Sequence, residues 1–462
     1  MYYILSLILL IIKPLKITSE RLQPLENIYF VFEHFRHGSR SPNRFIDKIK
    51  EMDFINATWR EGAGELTYLG IFQHYLIGIR NKIRYSKFLS SKYNPQEILI
   101  YSTNLNRTKT SGYAQLLGLY EIDKSKVINT EEGKKYLNFT DIKSYYGENL
   151  MLKTYPIPYF ILKYIKRGNK FRYEKTFDYS RDINCPKIKF LRNKNKLLDK
   201  HYIEYYETFK KYMETFLEDN FDFDFEKRDK FEQLHRFCDA FISQVTDKRV
   251  NQFFIDKKRD INITYDRCIE YEKLKLFNIE QGGQANFTGE ISMSAVMLRV
   301  INWMECRMKL KSNIEIKKGC PKFVMYSAHD TTLAAMGRFL LSAFNILVPY
   351  PYFAATQSFE LRKYNKDFYV EIYFNDKLGL NVTFKEFKKK VRDVAWDENF
   401  IIDYCDVYNS FEMKIIYLGF GIILVLSFIF AIGFLFFRYH PKGEFKYIVF
   451  NSDSSEIINE EK

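Results

Sequence analysis

Three stretches of this chain read as strands that each run straight into a polar cluster, and this pattern restricts the fold more than any other feature. Residues 27–35 (NIYFVFEHF), rich in aromatic and branched side chains, lead into Arg36-His37-Gly38-Ser39-Arg40-Ser41-Pro42, where Gly and Pro mark a loop. Residues 97–101 (EILIY) lead into Ser102-Thr103-Asn104, and residues 322–327 (KFVMYS) into Ala328-His329-Asp330. Between and after them the apolar spacing is helical over 66–85, with Thr67 placed to cap the helix, and again over 107–119, 289–311 and 331–345. Strand–helix alternation of this kind predicts an α/β core with a mainly parallel sheet in three layers. Two alternating strands over 357–375, turning at 363–366, predict a hairpin at the sheet edge. Residues 125–285 have a different texture. Charged and aromatic residues dominate, and helical periodicity returns around 195–217 and 226–246. This predicts a mainly helical cap inserted between core segments 20–124 and 286–405.

Two apolar runs set the expected topology. Tyr3 to Ile12 is too short for a bilayer, which takes about 20 residues, but suits the core of a signal peptide over 1–19. Ile415 to Phe437 carries no charge and, as a helix, would be about 34 Å long, enough to span a hydrocarbon core. Arg438, Lys442 and Lys446 follow it, whereas only Lys414 lies just before it. The positive-inside bias therefore puts residues 438–462 in the cytosol, with 406–414 as a juxtamembrane segment. All six cysteines fall in the part expected outside the cytosol, where three disulfides could form in any of 15 pairings. Glycosylation sequons there head at Asn56, Asn138, Asn262, Asn286 and Asn381. A sixth, at Asn106, adjoins an arginine expected to be buried, so no glycan is expected on it. The tail carries Tyr447-Ile448-Val449-Phe450, a Tyr-x-x-bulky pattern of the kind that clathrin adaptors read as an extended strand. The expected location is lysosomal, endosomal or the cell surface. The net charge of +14 is spread along the chain beside acidic residues, and no nucleic-acid motif accompanies it.

In an open parallel sheet, ligands bind at the carboxyl ends of the strands. Arg36, His37, Arg40, Arg107 and the His329–Asp330 pair could therefore meet at one place, although nearly 300 residues separate the first from the last. Three guanidiniums match phosphate oxygens in pairs and crowd unfavourably unless an anion lies among them. A histidine between them would have a lowered pKa and keep a lone pair for attack on phosphorus. Asp330, if protonated as a cleft and low pH favour, could give a proton to an alcohol leaving group. The chemistry requires neither cofactor nor metal, and no residue cluster has metal-ligand spacing. His34, His235 and His440 read as structural or exposed.

Arg-His-Gly-x-Arg-x-Pro at 36–42 resembles the signature of the histidine acid phosphatases, a branch of the phosphoglycerate-mutase-like superfamily. Gly64-Glu65-Leu66-Thr67 with Gly70 and Gln73, then Ser102-Thr103 with Arg107-Thr108 and Ser111, resemble that family's next blocks in order. Tyr326 to Thr332 is similar to its acid-donor block, and Pro351 to Ala354 with Phe359-Glu360-Leu361 to its closing strands. The resemblance covers about residues 27–405. It implies His37 as nucleophile, Asp330 as proton donor, and Arg36, Arg40, Arg107 and His329 as phosphate binders. It also implies an α/β core with a helical cap. Asp after the histidine is of the acid phosphatase type, whereas phytase relatives carry Ala-Glu there. Ser39 and Asn104 stand where Asp is frequent in relatives, and Tyr101 where Arg is frequent.

The expected activity is hydrolysis of small phosphate monoesters through a phosphohistidine. The alternatives are another phosphate enzyme of the same fold, such as an inositol-phosphate phosphatase, and an inactive receptor or adhesion ectodomain. A homodimer is compatible with the reading.

Overall fold

The computed structural model describes residues 27–43, 61–120, 199–221, 230–247, 260–280, 288–405 and 411–439, with a few positions beside them such as Trp59, Cys185 and Arg249. The signal segment, the sequons at Asn56, Asn138 and Asn286, His440 and the tail motif Tyr447–Phe450 lie outside these residues. The chain divides into two units, Met1–Cys405 and Asp406–Lys462.

The first unit is built on one six-stranded sheet of order β2-β3-β1-β4-β5-β6. Its strands are β1 (Ile28–Arg36), β2 (Ile98–Ser102), β3 (Phe323–Ala328), β4 (Thr356–Tyr364), β5 (Asp367–Phe374) and β6 (Lys377–Thr383). Helices α1 (Tyr68–Arg84) and α2 (Asn106–Leu119) cover one face. Helices α6 (Thr288–Met308), α7 (Asp330–Phe344) and α8 (Phe384–Val394) cover the other. Central strand β1 is buried on both sides, which explains its almost unbroken apolar run. Phe30 and Phe32 point into the α6–α8 layer, Val31 and Phe35 into the α1–α2 layer. By the same alternation Glu33 falls on the α1–α2 side. There its carboxylate takes hydrogen bonds from Arg80, Asn81 and Gln115, all on those two helices. His34 falls on the other side, buried against Phe32 and Phe359, and burial pushes its pKa down to about 3. It is a neutral core ring.

The sheet is mixed, not mainly parallel. β1 and β2 each run parallel to β3, but β1–β4, β4–β5 and β5–β6 are antiparallel. Two tight connections, after Tyr364 and Phe374, dictate the β4–β5 and β5–β6 pairings. Asn365, Asn375 and Asp376 there have positive φ, and turns this short can join only antiparallel neighbours. β6 was not expected from sequence, because as an edge strand it is mostly exposed and carries no apolar run.

The described cap helices α3 (Lys200–Phe221), α4 (Lys230–Thr246) and α5 (Ile261–Leu274, continued by a π-helical turn Lys275–Glu280) share an aromatic core. Tyr202, Tyr206, Phe209 and Tyr271 are fully buried in it, and the hydroxyls of Tyr202 and Tyr271 hydrogen-bond at 2.6 Å. The six cysteines form three disulfides. Cys238–Cys268 ties α4 to α5 and Cys306–Cys320 ties α6 to the approach to β3. Cys185–Cys405 holds the end of α9 (Glu398–Cys405) to a residue 220 positions earlier.

The second unit contains α10 (Phe411–Tyr439), 29 residues long. Its described side chains are exposed, Leu424 and Phe430 among them. Among the described residues no helix is long and apolar enough to cross a membrane, and both ends of α10 lie beyond the residues whose side chains are described.

The loop after β1 is held by a close backbone approach. A Cβ on Gly38 would sit 2.2 Å from the carbonyl oxygen of Gly70, and one on Gly70 would sit 2.1 Å from that of Ser39. Thr67 caps α1 by accepting from Gly70 N at 3.2 Å, as its position in sequence suggested. Replacing Gly70 by Ala should force helix and loop apart. The expected result is a loss of about 2 kcal/mol in urea unfolding together with reduced phosphatase turnover.

Candidate active site

Each residue singled out for chemistry stands where a strand ends or a helix begins. Arg36 is the last residue of β1, and His37 to Arg40 form the loop that follows it. Arg107 lies in the first turn of α2, after β2. His329 caps α7 and Asp330 opens it, after β3. Since β2, β3 and β1 are adjacent and parallel, their carboxyl ends lie side by side, and Arg36, His37, Arg40, Arg107, His329 and Asp330 line one cleft. The cleft has a volume of about 230 Å³, and its far wall comes from α4 and from the end of α5. Asn262 and Asn381 are exposed elsewhere, at the start of α5 and on β6. Asn106 is exposed as well, so the expected burial of its neighbourhood does not hold, and Arg107 is only half-buried.

His37 is 2% exposed. Its Nδ1 lies 2.9 Å from the carbonyl oxygen of Gly38, which can only accept, so Nδ1 carries the proton. The lone pair of the neutral ring is then on Nε2. Burial, followed by the charges of Arg107, Arg36 and Arg40, holds the imidazole pKa well below its ordinary range. The ring of His329 lies 5.5 Å from it, and His329 Nε2 hydrogen-bonds with Thr103 Oγ1 at 2.8 Å. Phe353 packs 5.9 Å from the His37 ring and lies under the Arg36 guanidinium at 4.2 Å, a cation–π contact that also restricts how Arg36 can turn.

Two carboxylates balance the arginines. Asp330 Oδ2 pairs with Arg36 at 2.7 Å, and Arg36 also donates to the Pro351 carbonyl at 2.8 Å. Asp239 of α4 pairs with Arg40 at 2.6 Å and accepts from Asn43 N at 2.8 Å. Burial opposes the charge on Asp330, but Arg36 and then Arg40 outweigh it and hold the pKa at about 2. This corrects the expectation that the cleft alone favours a protonated Asp330. Asp239 is likewise held below the carboxylate range, because the Arg40 pair outweighs its burial.

Several functional neighbours were not read from sequence. Asp239, His235 and Glu272 are ordinary polar positions on amphipathic helices, and no local spacing marks them. His235, expected to be structural or exposed, lines the cleft and meets Glu272 Oε1 through Nδ1 at 2.6 Å. Phe353 stood in a recognised block without a role. Ser39, where relatives often have Asp, donates to Asp247 Oδ1 at 3.1 Å, as does Thr67 at 2.7 Å, so here the carboxylate beside the loop comes from the end of α4. His74 of α1 donates through Nε2 to the Arg36 carbonyl at 3.0 Å and steadies the strand end from beneath. Among the described residues no cluster could hold a metal ion.

The shift on His37 fixes a sign. The unfolded chain takes up a proton near pH 6.5 that the folded ring refuses, so this group's stabilisation is complete above that pH and is lost as pH falls below it. Histidine-selective NMR of the ligand-free protein should show His37 unprotonated at Nε2 from pH 7 down to 5. A midpoint near 6.5 would contradict the depressed pKa.

The family model described as histidine phosphatase superfamily (branch 2) matches residues 28–243. A prostatic acid phosphatase of Rattus norvegicus is 26% identical over 369 residues, covering 78% of this chain and 82% of that one. A lysosomal acid phosphatase of Xenopus laevis is 38% identical over 102 residues, 22% of each chain. Among solved structures, the multiple inositol polyphosphate phosphatase of Bifidobacterium longum, in complex with inositol hexasulfate, aligns with a TM-score of 0.52 at 13% identity, over 80% of this chain and 95% of that one. That last likeness is one of fold. Signature loop, sheet order and cleft agree with that match, and residues 28–243 carry the pattern of branch 2 of the histidine phosphatase superfamily.

Proposed function

We propose that this chain is an acid phosphatase that hydrolyses phosphate monoesters through a covalent phosphohistidine on His37. The observation that carries the reading is the tautomer of His37: Nδ1 is committed to the Gly38 carbonyl, in a ring kept neutral by burial and by three arginines. That leaves Nε2 as a nucleophile at acidic pH, where an ordinary histidine would be protonated.

The steps follow from the groups in the cleft. The substrate phosphoryl group enters among Arg36, Arg40, Arg107 and His329, which neutralise its charge and hold it in line with Nε2. Its oxygens take over part of the Arg36 charge that stabilises Asp330 in the free site, and its own negative charge raises the carboxyl pKa. Asp330 thus gains its proton as substrate binds. Nε2 then forms a bond to phosphorus while the P–O ester bond breaks, and Asp330 gives its proton to the departing alkoxide. In the second half, water attacks the phosphohistidine, Asp330 takes the water proton, and inorganic phosphate leaves with the P–N bond broken. The acid phosphatase names of the relatives agree with this reading. An inactive ectodomain has no support, because every group the chemistry needs lines the cleft.

We further propose that residues 1–19 direct the chain into the secretory pathway and that α10 anchors it, with the catalytic unit lumenal or extracellular. Support comes from the charge-free Ile415–Phe437 segment inside a 29-residue helix and from three disulfides in the catalytic unit. On this layout Tyr447 and Phe450 address a clathrin adaptor. Tyr447→Ala should shift the protein from internal compartments to the cell surface in imaging of transfected cells, and an unchanged distribution would remove the sorting role.

His37→Ala should abolish turnover, lowering kcat by more than about 10³-fold. Asp330→Ala should cut hydrolysis of alkyl phosphates about a hundredfold more than that of p-nitrophenyl phosphate, whose leaving group needs no proton. Equal losses on both esters would exclude Asp330 as the proton donor.

A further inference from the structure

Beyond the phosphate-binding residues, the lining of the cleft carries a carboxylate that no arginine among the described residues holds. The wall there is formed by His235 and Asp239 of α4, Glu272 of α5 and Lys275 just beyond it, with Tyr350 from the loop before β4. Asp239 is committed to Arg40 and the Asn43 amide. Glu272 is different. Its Oε1 meets His235 Nδ1, whereas among the described residues Oε2 has no hydrogen-bonding partner. The glutamate thus offers an acceptor oxygen on the lining of the cleft.

Tyr350 links this wall to the phosphate end. It lines the same cleft as Arg36 and Asp330, which belong to the phosphate site, and Glu272, which belongs to the wall. A short cationic alcohol esterified at the phosphate would pass this aromatic surface and reach the carboxylate, which are the two kinds of group that hold an ammonium. An alcohol bearing a second phosphate would bring its negative charge against the same carboxylate, with Lys275 of the wall as the only lysine among the described lining residues to offset it.

We propose that Glu272 and Tyr350 form a leaving-group subsite that selects phosphomonoesters of amino alcohols over esters whose alcohol carries a second phosphate. The inference rests on the phosphatase reading above and names its substrate class. Glu272 acts as a specificity-determining residue that touches the alcohol part of the substrate and takes no part in phosphoryl transfer.

The test compares kcat/KM of the full chain, purified in detergent, for three esters. These are phosphoethanolamine, its neutral isostere n-propyl phosphate, and fructose 1,6-bisphosphate. The wild-type protein should favour phosphoethanolamine over n-propyl phosphate by about tenfold or more, the gain coming mainly in KM. Glu272→Gln should bring that ratio close to one. Glu272→Lys should invert it and raise kcat/KM for the bisphosphate about tenfold. A wild-type ratio near one, or a ratio that Glu272→Gln leaves unchanged, overturns the subsite while the phosphatase reading stands. The wild-type ratio alone decides the matter if the variants do not fold. A folded wild-type protein that releases phosphate from none of the three esters overturns the phosphatase reading and this inference with it.

Discussion

Three guanidiniums around one neutral imidazole are the constraint on which the structure depends. Arg36, Arg40 and Arg107 all lower the pKa of His37 by their charge, after the larger effect of its burial. Such a cluster is costly to assemble in a buried site unless negative charge is supplied nearby. The fold supplies it twice, through Asp330 on Arg36 and through Asp239 on Arg40. Arg107 also lines the cleft and donates to the Gly64 carbonyl at 3.3 Å. The result is a site whose charge is balanced enough to fold, yet cationic enough to draw in a phosphate.

This balance explains why the helical cap is part of the chemistry. Asp239 and Asp247 both come from α4 and its end, and they hold Arg40, Ser39 and Thr67 of the core. Arg249 extends the same seam, pairing with Asp247 at 2.7 Å and with Glu61 at 2.9 Å while lying over the Trp59 ring. The loop that bears His37 is therefore fixed from below by Gly70 and His74 and from the side by the cap. Preorganisation of this kind is what electrostatic stabilisation of a transferring phosphoryl group needs, since the dipoles need not reorient during reaction.

Much of the α/β core could be read from the chain because local and tertiary signals agree there. The runs that became β1, β2 and β3 are apolar on both faces and end in polar residues, so both the strands and the place where their ends meet were legible. Thr67 was legible as a cap because capping is a local matter of side-chain oxygen and position. The mixed sheet was not, since β4 pairs antiparallel with the distant β1, and β5 and β6 follow it through two tight turns near Asn365 and Asn375. The charge state of Asp330 was misread for a related reason. Sequence places the carboxyl in a cleft, but only the 2.7 Å contact with Arg36 decides which way the pKa moves. Asp239 and Glu272 were invisible because a single acidic residue on an amphipathic helix looks the same whether it faces solvent or a site.

The central claim is that phosphate passes through His37 itself. It is tested most directly by mixing the full-length protein with a ³²P-labelled phosphomonoester at pH 5, quenching within milliseconds, and mapping the label by peptide mass spectrometry under alkaline conditions that preserve phosphohistidine. The account predicts an acid-labile phosphate on the peptide containing His37, appearing at least as fast as turnover. Steady hydrolysis with no label on that peptide, or with the label on another residue, would contradict it.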